Sequence, residues 1–221
     1  MWEINRSLYR ILRQVSNMTE LSYLSSGIRG NRETTEGCSY FTEIFEKAAA
    51  LAEHSGKKII WSVPEKRFFL PLDRDRVERA VYNLLSNALR YTPKGGRIRI
   101  SLEVGERIIL VKILDKGEGL SAAVRENLFF RFRREPGLED ERSGLGLGLQ
   151  LVYRVAALHG GTLMVCPGPE GGTMSVLTLG KSLPAGQPLR SPILRVDYSG
   201  GRDHALVELS GELPSSLYET L

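Results

Sequence analysis

The chain has 221 residues, 42% of them apolar and 25% charged, and a formal net charge of +4. These values fit one ordinary domain with short additions at its ends, and they exclude a disordered, low-complexity or fibrous chain. The positive balance suits a polyphosphate ligand, an acidic protein partner or nucleic acid, and charge alone does not choose among them. Cys38 and Cys166 are too few for a disulfide framework and lack metal-ligand spacing, so a reducing compartment is expected. No apolar run reaches the roughly 18 residues of a membrane span, and the N-terminus has no signal-peptide core. A soluble, cytoplasmic chain is expected, with any membrane anchor of the full-length protein lying upstream.

Ile4, Leu8, Ile11, Val15 and Met18 recur at alternating steps of four and three, the seam of a coiled coil or helical bundle, with Arg6, Arg10 and Arg13 off that seam. The pattern fits a homodimer seam, a partner helix, or a helix packed on its own domain. Residues 1–30 are read as this helix and the start of a connector, which runs from Ser25 to Gly37. Helical spacing from Phe41 to His54 ends at Ser55-Gly56, and Lys58 to Val63 reads as a strand. A second helix is predicted from Asp75 to Tyr91. Residues 97–104 then alternate as a half-buried strand, and Ile108 to Leu114 reads as a strand buried on both faces, the two forming a hairpin. A short helix after Ser121, a charged loop over 133–143, a helix over 147–158 and a closing hairpin over 162–180 follow. The order predicts a two-layer α/β sandwich with a mixed sheet backed by helices. Beyond Lys181 a proline-rich linker leads to two expected strands, 193–198 and 204–210, in a C-terminal extension (183–221) with no assignable chemistry.

Three elements carry candidate chemistry. On the helix at 75–91, Ala80, Val81, Leu84, Leu85, Ala88 and Leu89 span one apolar arc at about 100° per residue, and Asn83, Asn87 and Arg90 fall together beside it, with Tyr91 on the border. Such a line is either a solvated face or a row of donors and acceptors facing a ligand; an asparagine oxygen is a neutral, hard ligand suited to magnesium. Asp115-Lys116-Gly117-Glu118-Gly119-Leu120 follows a buried strand, where a fixed carboxylate can accept from an exocyclic amine and glycines let backbone approach a planar base. Gly144-Leu145-Gly146-Leu147-Gly148-Leu149 opens a helix, where glycines present N–H groups to phosphate oxygens. A dinucleotide-binding reading fails because a charged loop, not a strand, precedes that run, and the Walker spacing is absent.

Taken in order, Asn83 to Pro93, Asp115 to Leu120, Leu128-Phe129-Phe130-Arg131-Phe132, Gly144 to Leu149 and Gly171-Gly172-Thr173 resemble the successive boxes of sensor histidine kinases over residues 38–181. The nucleotide-binding domain of that family is shared with gyrase, Hsp90 and MutL. The resemblance implies the Bergerat-type ATP-binding fold, with ATP and Mg2+ held between a helix and a lid. Asn87 matches the magnesium-ligating asparagine and Asn83 the earlier polar position of its box. Arg90 matches the phosphate-contacting cation, and Tyr91 the aromatic on adenine. Asp115 matches the carboxylate that reads the adenine amino group, with Gly117, Gly119 and Leu120 shaping that pocket. Phe129 and Phe132 match the lid base, where Arg131 reaches the phosphates. Gly144, Leu145, Gly146, Leu147, Gly148 and Leu149 match the lid hinge, and Thr173 the last box.

Three departures bear on function. Lys116 and Glu118 replace the usual Asn/Asp and Pro of the first glycine box. Asn83 stands where gyrase-like and anti-sigma relatives carry a glutamate base, which disfavours hydrolysis and serine phosphorylation. His54, His159 and His204 are the only histidines, and none is followed by an acidic residue. Residues 1–24 resemble the second helix of the family's dimerisation hairpin, so the phosphoacceptor is expected outside this chain. The resemblance implies a two-component kinase that transfers the γ-phosphoryl of ATP to that histidine. It implies as partners the helical hairpin, a response regulator and a second copy through residues 1–24, and no nucleic acid. A nucleotide-sensing or scaffold module without phosphotransfer is the alternative, with an anti-sigma-like serine kinase behind it.

Overall fold

The computed structural model describes residues 2–26, 31–119, 147–182, 199 and 201–218. In chain order these form α1 (Trp2–Ser25), β1 (Glu33–Glu36), α2 (Gly37–His54), β2 (Lys58–Ser62), β3 (Phe69–Leu72), α3 (Arg74–Tyr91), β4 (Arg97–Val104), β5 (Ile108–Leu114), α4 (Leu147–Leu158), β6 (Leu163–Pro167), β7 (Thr173–Gly180), α5 (His204–Glu208) and a 3-10 turn (Ser215–Tyr218). The expected short helix after Ser121, the loop over 133–143 and the expected strand at 193–198 lie outside the described residues. Among the described residues no helix is long and apolar enough to cross a membrane.

The main sheet has the order β2-β4-β5-β7-β6, with β2 parallel to β4 and every other neighbour antiparallel. Alternation puts Ile98, Ile100 and Leu102 of β4, Ile109, Val111 and Ile113 of β5, and Leu177 and Leu179 of β7 into the core. Phe41 and Phe45 of α2, Val81 and Leu85 of α3, and Val152 and Val155 of α4 are buried in the same cluster. The result is the expected mixed sheet backed by helices. It also corrects the reading of β5, whose burial alternates instead of covering both faces. Among the described residues helices cover one side only; on the other, Lys112 bonds Glu103 of the neighbouring strand at 2.6 Å. A pair this exposed is worth at most about 1 kcal/mol.

Helix α3 starts where Asp73 accepts the N–H of Arg76 at 3.3 Å, and it stops at an extended Thr92 ahead of Pro93. The stretch read as a connector contains β1, which pairs antiparallel with β3. The strand expected at 204–210 is the short helix α5 instead. Asp203 caps it, accepting from the N–H groups of Ala205 and Leu206 at 2.9 and 3.2 Å. On α1 the seam residues Ile4, Leu8, Ile11, Val15 and Met18 are all exposed, while Tyr9, Ser16 and Asn17 are buried. The helix therefore packs on its own domain through a different face, and the seam stays open.

His159, at the end of α4, is buried and ties that end to the start of α3. Its Nε2 accepts the backbone N–H of Asp73 at 3.0 Å, and its Nδ1 lies 2.8 Å from the carbonyl of Val155. The ring is therefore neutral with its proton on Nδ1. Burial lowers its pKa from the ordinary 6.5 to about 4. The unfolded chain takes up this proton first, so the stabilisation is present above pH 6.5 and is lost as pH falls toward 4, by about 3 kcal/mol in all. Urea midpoints are expected to fall across that window, and the His159→Gln chain to lose that part of the pH slope.

Candidate nucleotide site

The polar line of α3 consists of Asn83, Ser86, Asn87 and Arg90, which span about 100° of the helix surface. Its C-terminal end meets the turn after β5. A Cβ on Gly117 would lie 2.5 Å from the carbonyl oxygen of Tyr91, so only glycine lets this turn approach α3 so closely. Tyr91 is itself 53% exposed beside it.

Asp115 is buried at that end and is fixed from two sides. Its Oδ1 accepts the N–H groups of Gly117 and Thr173 at 2.9 and 3.1 Å, and its own N–H donates to the carbonyl of Thr173 at 3.0 Å. Burial raises its pKa above the usual carboxylate value, and the two backbone donors pull the other way. Both donors use Oδ1. Oδ2 has no hydrogen bond among the described residues and is left to accept from a ligand. Lys116, one of the departures, pairs with Glu170 of the β6–β7 turn at 3.1 Å, both side chains being exposed.

The middle of the line is different, because other parts of the chain already fill it. Asn83 is 1% exposed. Its Oδ1 accepts from Nη2 of Arg13 at 2.9 Å, and its Nδ2 donates to the carbonyl of Arg79 at 2.9 Å and to Oε2 of Glu208 at 3.0 Å. Arg13 also donates to Ser86 at 3.0 Å. The buried carboxylate of Glu208 lies 3.1 Å from Nε of Arg13 and 2.9 Å from Nε of Arg79. Burial raises the pKa of Glu208 and lowers that of Arg13, while their mutual attraction opposes both shifts. Breaking a buried pair of this kind by removing one partner typically costs about 3–5 kcal/mol, because the charge left behind has lost both water and counter-charge. At the half-exposed rim, Arg90 pairs with Glu212 at 3.0 Å.

Asn87 is half-buried and makes no hydrogen bond through its side chain among the described residues. Its carbonyl oxygen fits the neutral oxygen ligand that magnesium takes together with phosphates. Among the described residues no cluster of three or more His, Cys, Asp or Glu offers another metal site. Gly148 brings the first turn of α4 against Asn83, since a Cβ there would lie 2.6 Å from Oδ1 of Asn83. Leu147 is 39% exposed, and Leu149 packs on the core. Gly119 ends the described turn; Leu120, Phe129, Arg131, Phe132, Gly144, Leu145 and Gly146 lie outside the described residues. The structure thus brings Tyr91, Asp115, Gly117 and Thr173 together at one end of α3, and Asn83 and Gly148 at its middle. Sequence reading missed Arg13, Arg79, Glu208 and Glu212. The one signal for them was the basic stripe Arg6, Arg10, Arg13 along a helix whose acids, Glu3 and Glu20, lie outside the stripe.

The sequence model of the family described as "Histidine kinase-, DNA gyrase B-, and HSP90-like ATPase" matches residues 72–183. Sensor protein KdpD of Clostridium acetobutylicum is 28% identical over 185 residues, which are 82% of this chain and 20% of that protein. Sensor histidine kinase WalK of Bacillus subtilis is 27% identical over 174 residues, 77% of this chain and 28% of that one. The solved structure of the mycobacterial sensor histidine kinase MprB aligns with a TM-score of 0.52 at 27% identity, covering 68% of this chain and 99% of that one. The chain spans between a fifth and about three tenths of the length of the two curated relatives it matches here.

Proposed function

Since the chain belongs to the histidine kinase-, DNA gyrase B- and HSP90-like ATPase family, we propose that it is the ATP-binding catalytic part of a two-component sensor histidine kinase. Its γ-phosphoryl acceptor would be a histidine supplied outside residues 1–221. The observation that carries this reading is the Oδ2 of Asp115, which has no hydrogen bond among the described residues, at the end of α3 that carries the exposed Tyr91. Asp115 would accept from the adenine amino group and Tyr91 would cover the base. The phosphates would run along α3 toward Asn83, with Arg90 balancing their charge. Asn87 would hold magnesium, which when bound neutralises phosphate charge. Transfer forms a bond from an imidazole nitrogen to Pγ and breaks the bond from Pγ to the oxygen that leaves with ADP. The chain's own part is positioning and charge stabilisation.

Residues 38–181 are the ATP-binding unit in this reading, and residues 1–30 a dimerisation-type helix whose exposed Ile4, Leu8, Ile11, Val15 and Met18 would pair with a second copy or a hairpin helix. A response regulator would be the onward partner. By calorimetry, Asn87→Ala is expected to reduce ATP affinity in magnesium to the value found in EDTA. An unchanged magnesium increment would sink the metal assignment. A second reading, nucleotide sensing without transfer, is favoured by one observation: Asn83 and Arg90 are engaged by Glu208 and Glu212. Tight ATP binding with no labelling of a supplied dimerisation hairpin would favour that reading.

A further inference from the structure

The segment Asp203 to Tyr218 is seated firmly between α1 and α3. Ala205, Val207, Leu209, Leu213 and Tyr218 are buried, and Tyr218 meets the ring of Tyr9 edge-on at 4.8 Å. Side chains of α1 hold its backbone: Asn5 donates to the carbonyl of Tyr218 at 3.0 Å and Arg10 to that of Gly211 at 2.9 Å. The apolar contacts fix the segment in place, and its two glutamates then fall in register with the polar line of α3. Glu208 reaches Asn83, Arg13 and Arg79, and Glu212, four residues on, reaches Arg90.

A carboxylate and a phosphate make the same demand on a guanidinium, since both present paired oxygens to its N–H fork. Arg13 and Arg79 are too buried to stand without an anion. They can exchange one anion for another, but they cannot simply lose one. No hydrogen bond or ion pair joins this segment to Tyr91, Asp115, Gly117 or Thr173 among the described residues, so the adenine end lies clear of it. We propose that residues 203–218 are an internal competitor for the phosphate end of the nucleotide site, with Glu208 and Glu212 engaging the cations and the asparagine that the phosphates of ATP would use. The proposal rests on the site reading above. Because Arg13 belongs to α1, the same exchange replaces a contact between α1 and residues 203–218 with one from α1 to the ligand.

In the full chain, the Glu208→Gln/Glu212→Gln double substitution is expected to raise ATP affinity at least tenfold and to leave adenosine affinity within twofold. Unchanged or weaker ATP binding in a double variant that melts cooperatively would overturn the proposal. Glu212→Gln alone, beside the half-exposed Arg90, is expected to raise ATP affinity about threefold, which covers the case in which loss of Glu208 unfolds the chain. Hydrogen exchange of the unsubstituted chain gives a second readout. Saturating ATP is expected to speed exchange at residues 203–218 at least tenfold and adenosine to leave it unchanged; equal or greater protection with ATP would overturn the competition. Adenosine binding that survives Asp115→Asn would overturn the site reading and with it the competition, whereas adenosine binding that is lost in that variant, with no effect of the glutamate substitutions on ATP, overturns the competition alone.

Discussion

Asp115→Asn is expected to weaken ATP and adenosine binding by about 30- to 1,000-fold while leaving the melting temperature nearly unchanged. The substitution keeps an oxygen for the N–H groups of Gly117 and Thr173, which both bond Oδ1, so the turn keeps its anchors. What changes is Oδ2, which becomes an NH2 group. It can no longer accept from an adenine amino group and meets it donor to donor. A hydrogen bond to a charged group contributes about 1.5–3 kcal/mol, and a buried unsatisfied donor adds to the loss, hence the range given. Isothermal calorimetry with adenosine isolates this contact, since adenosine has no phosphates to reach Arg90 or Asn83. An affinity within threefold of the unsubstituted chain would remove Asp115 from the site.

Gly172→Ala is expected to have the largest effect on stability at the site, about 3 kcal/mol or more, and to abolish adenosine binding in the fraction that folds. Gly172 has φ +71, and a Cβ there would lie 2.1 Å from the carbonyl oxygen of Asp115. That obstacle is backbone, so no side-chain rotation relieves it. The left-handed conformation alone costs an alanine about 1–2 kcal/mol, and the clash must push β5 and β7 apart where they hold Asp115. Gly171 is the control: its φ is +87 but nothing lies within 4 Å of its would-be Cβ. Gly171→Ala should therefore lose only the conformational part, about 1–2 kcal/mol in urea denaturation, with adenosine affinity unchanged. Equal losses at both positions would mean that the close approach to Asp115 does not matter.

The sequence made legible what local burial dictates. The apolar arc of α3 and the alternation of β4 follow from one buried face each, and both emerge with the expected bounds to within a residue or two. β1 and β3 escaped because neither has a pattern of its own. Glu33-Thr34-Thr35-Glu36 is polar, Pro71 weakens the reading of Phe69–Leu72 as a strand, and the two are stabilised by pairing with each other across the whole of α2 and β2. At α5 the alternation of Ala205, Val207 and Leu209 imitated a strand. The Asp203 cap starts a helix there instead, and packing against α1 and α3 buries Ala205 and Val207 on it and Leu209 at its end. The site divided along the same boundary. Asp115, Gly117 and Thr173 were legible as boxes, and the structure brings them together. The partners of Asn83 were not, since Arg13 stands 70 positions before it and Glu208 125 after it, and no local period connects such residues.

The two ends of the chain lie side by side, with Asn5 bonded to the carbonyl of Tyr218 across 213 positions of sequence. Contacts so remote in sequence form late, because hairpins such as β4–β5 and helices such as α3 close over far shorter loops. The polar line of α3 is covered only by residues far along the chain, since Glu208 lies 125 positions after Asn83. The consequence is a cooperative tie: opening either terminal segment exposes the buried Glu208 carboxylate and the Arg13 and Arg79 guanidinium groups together.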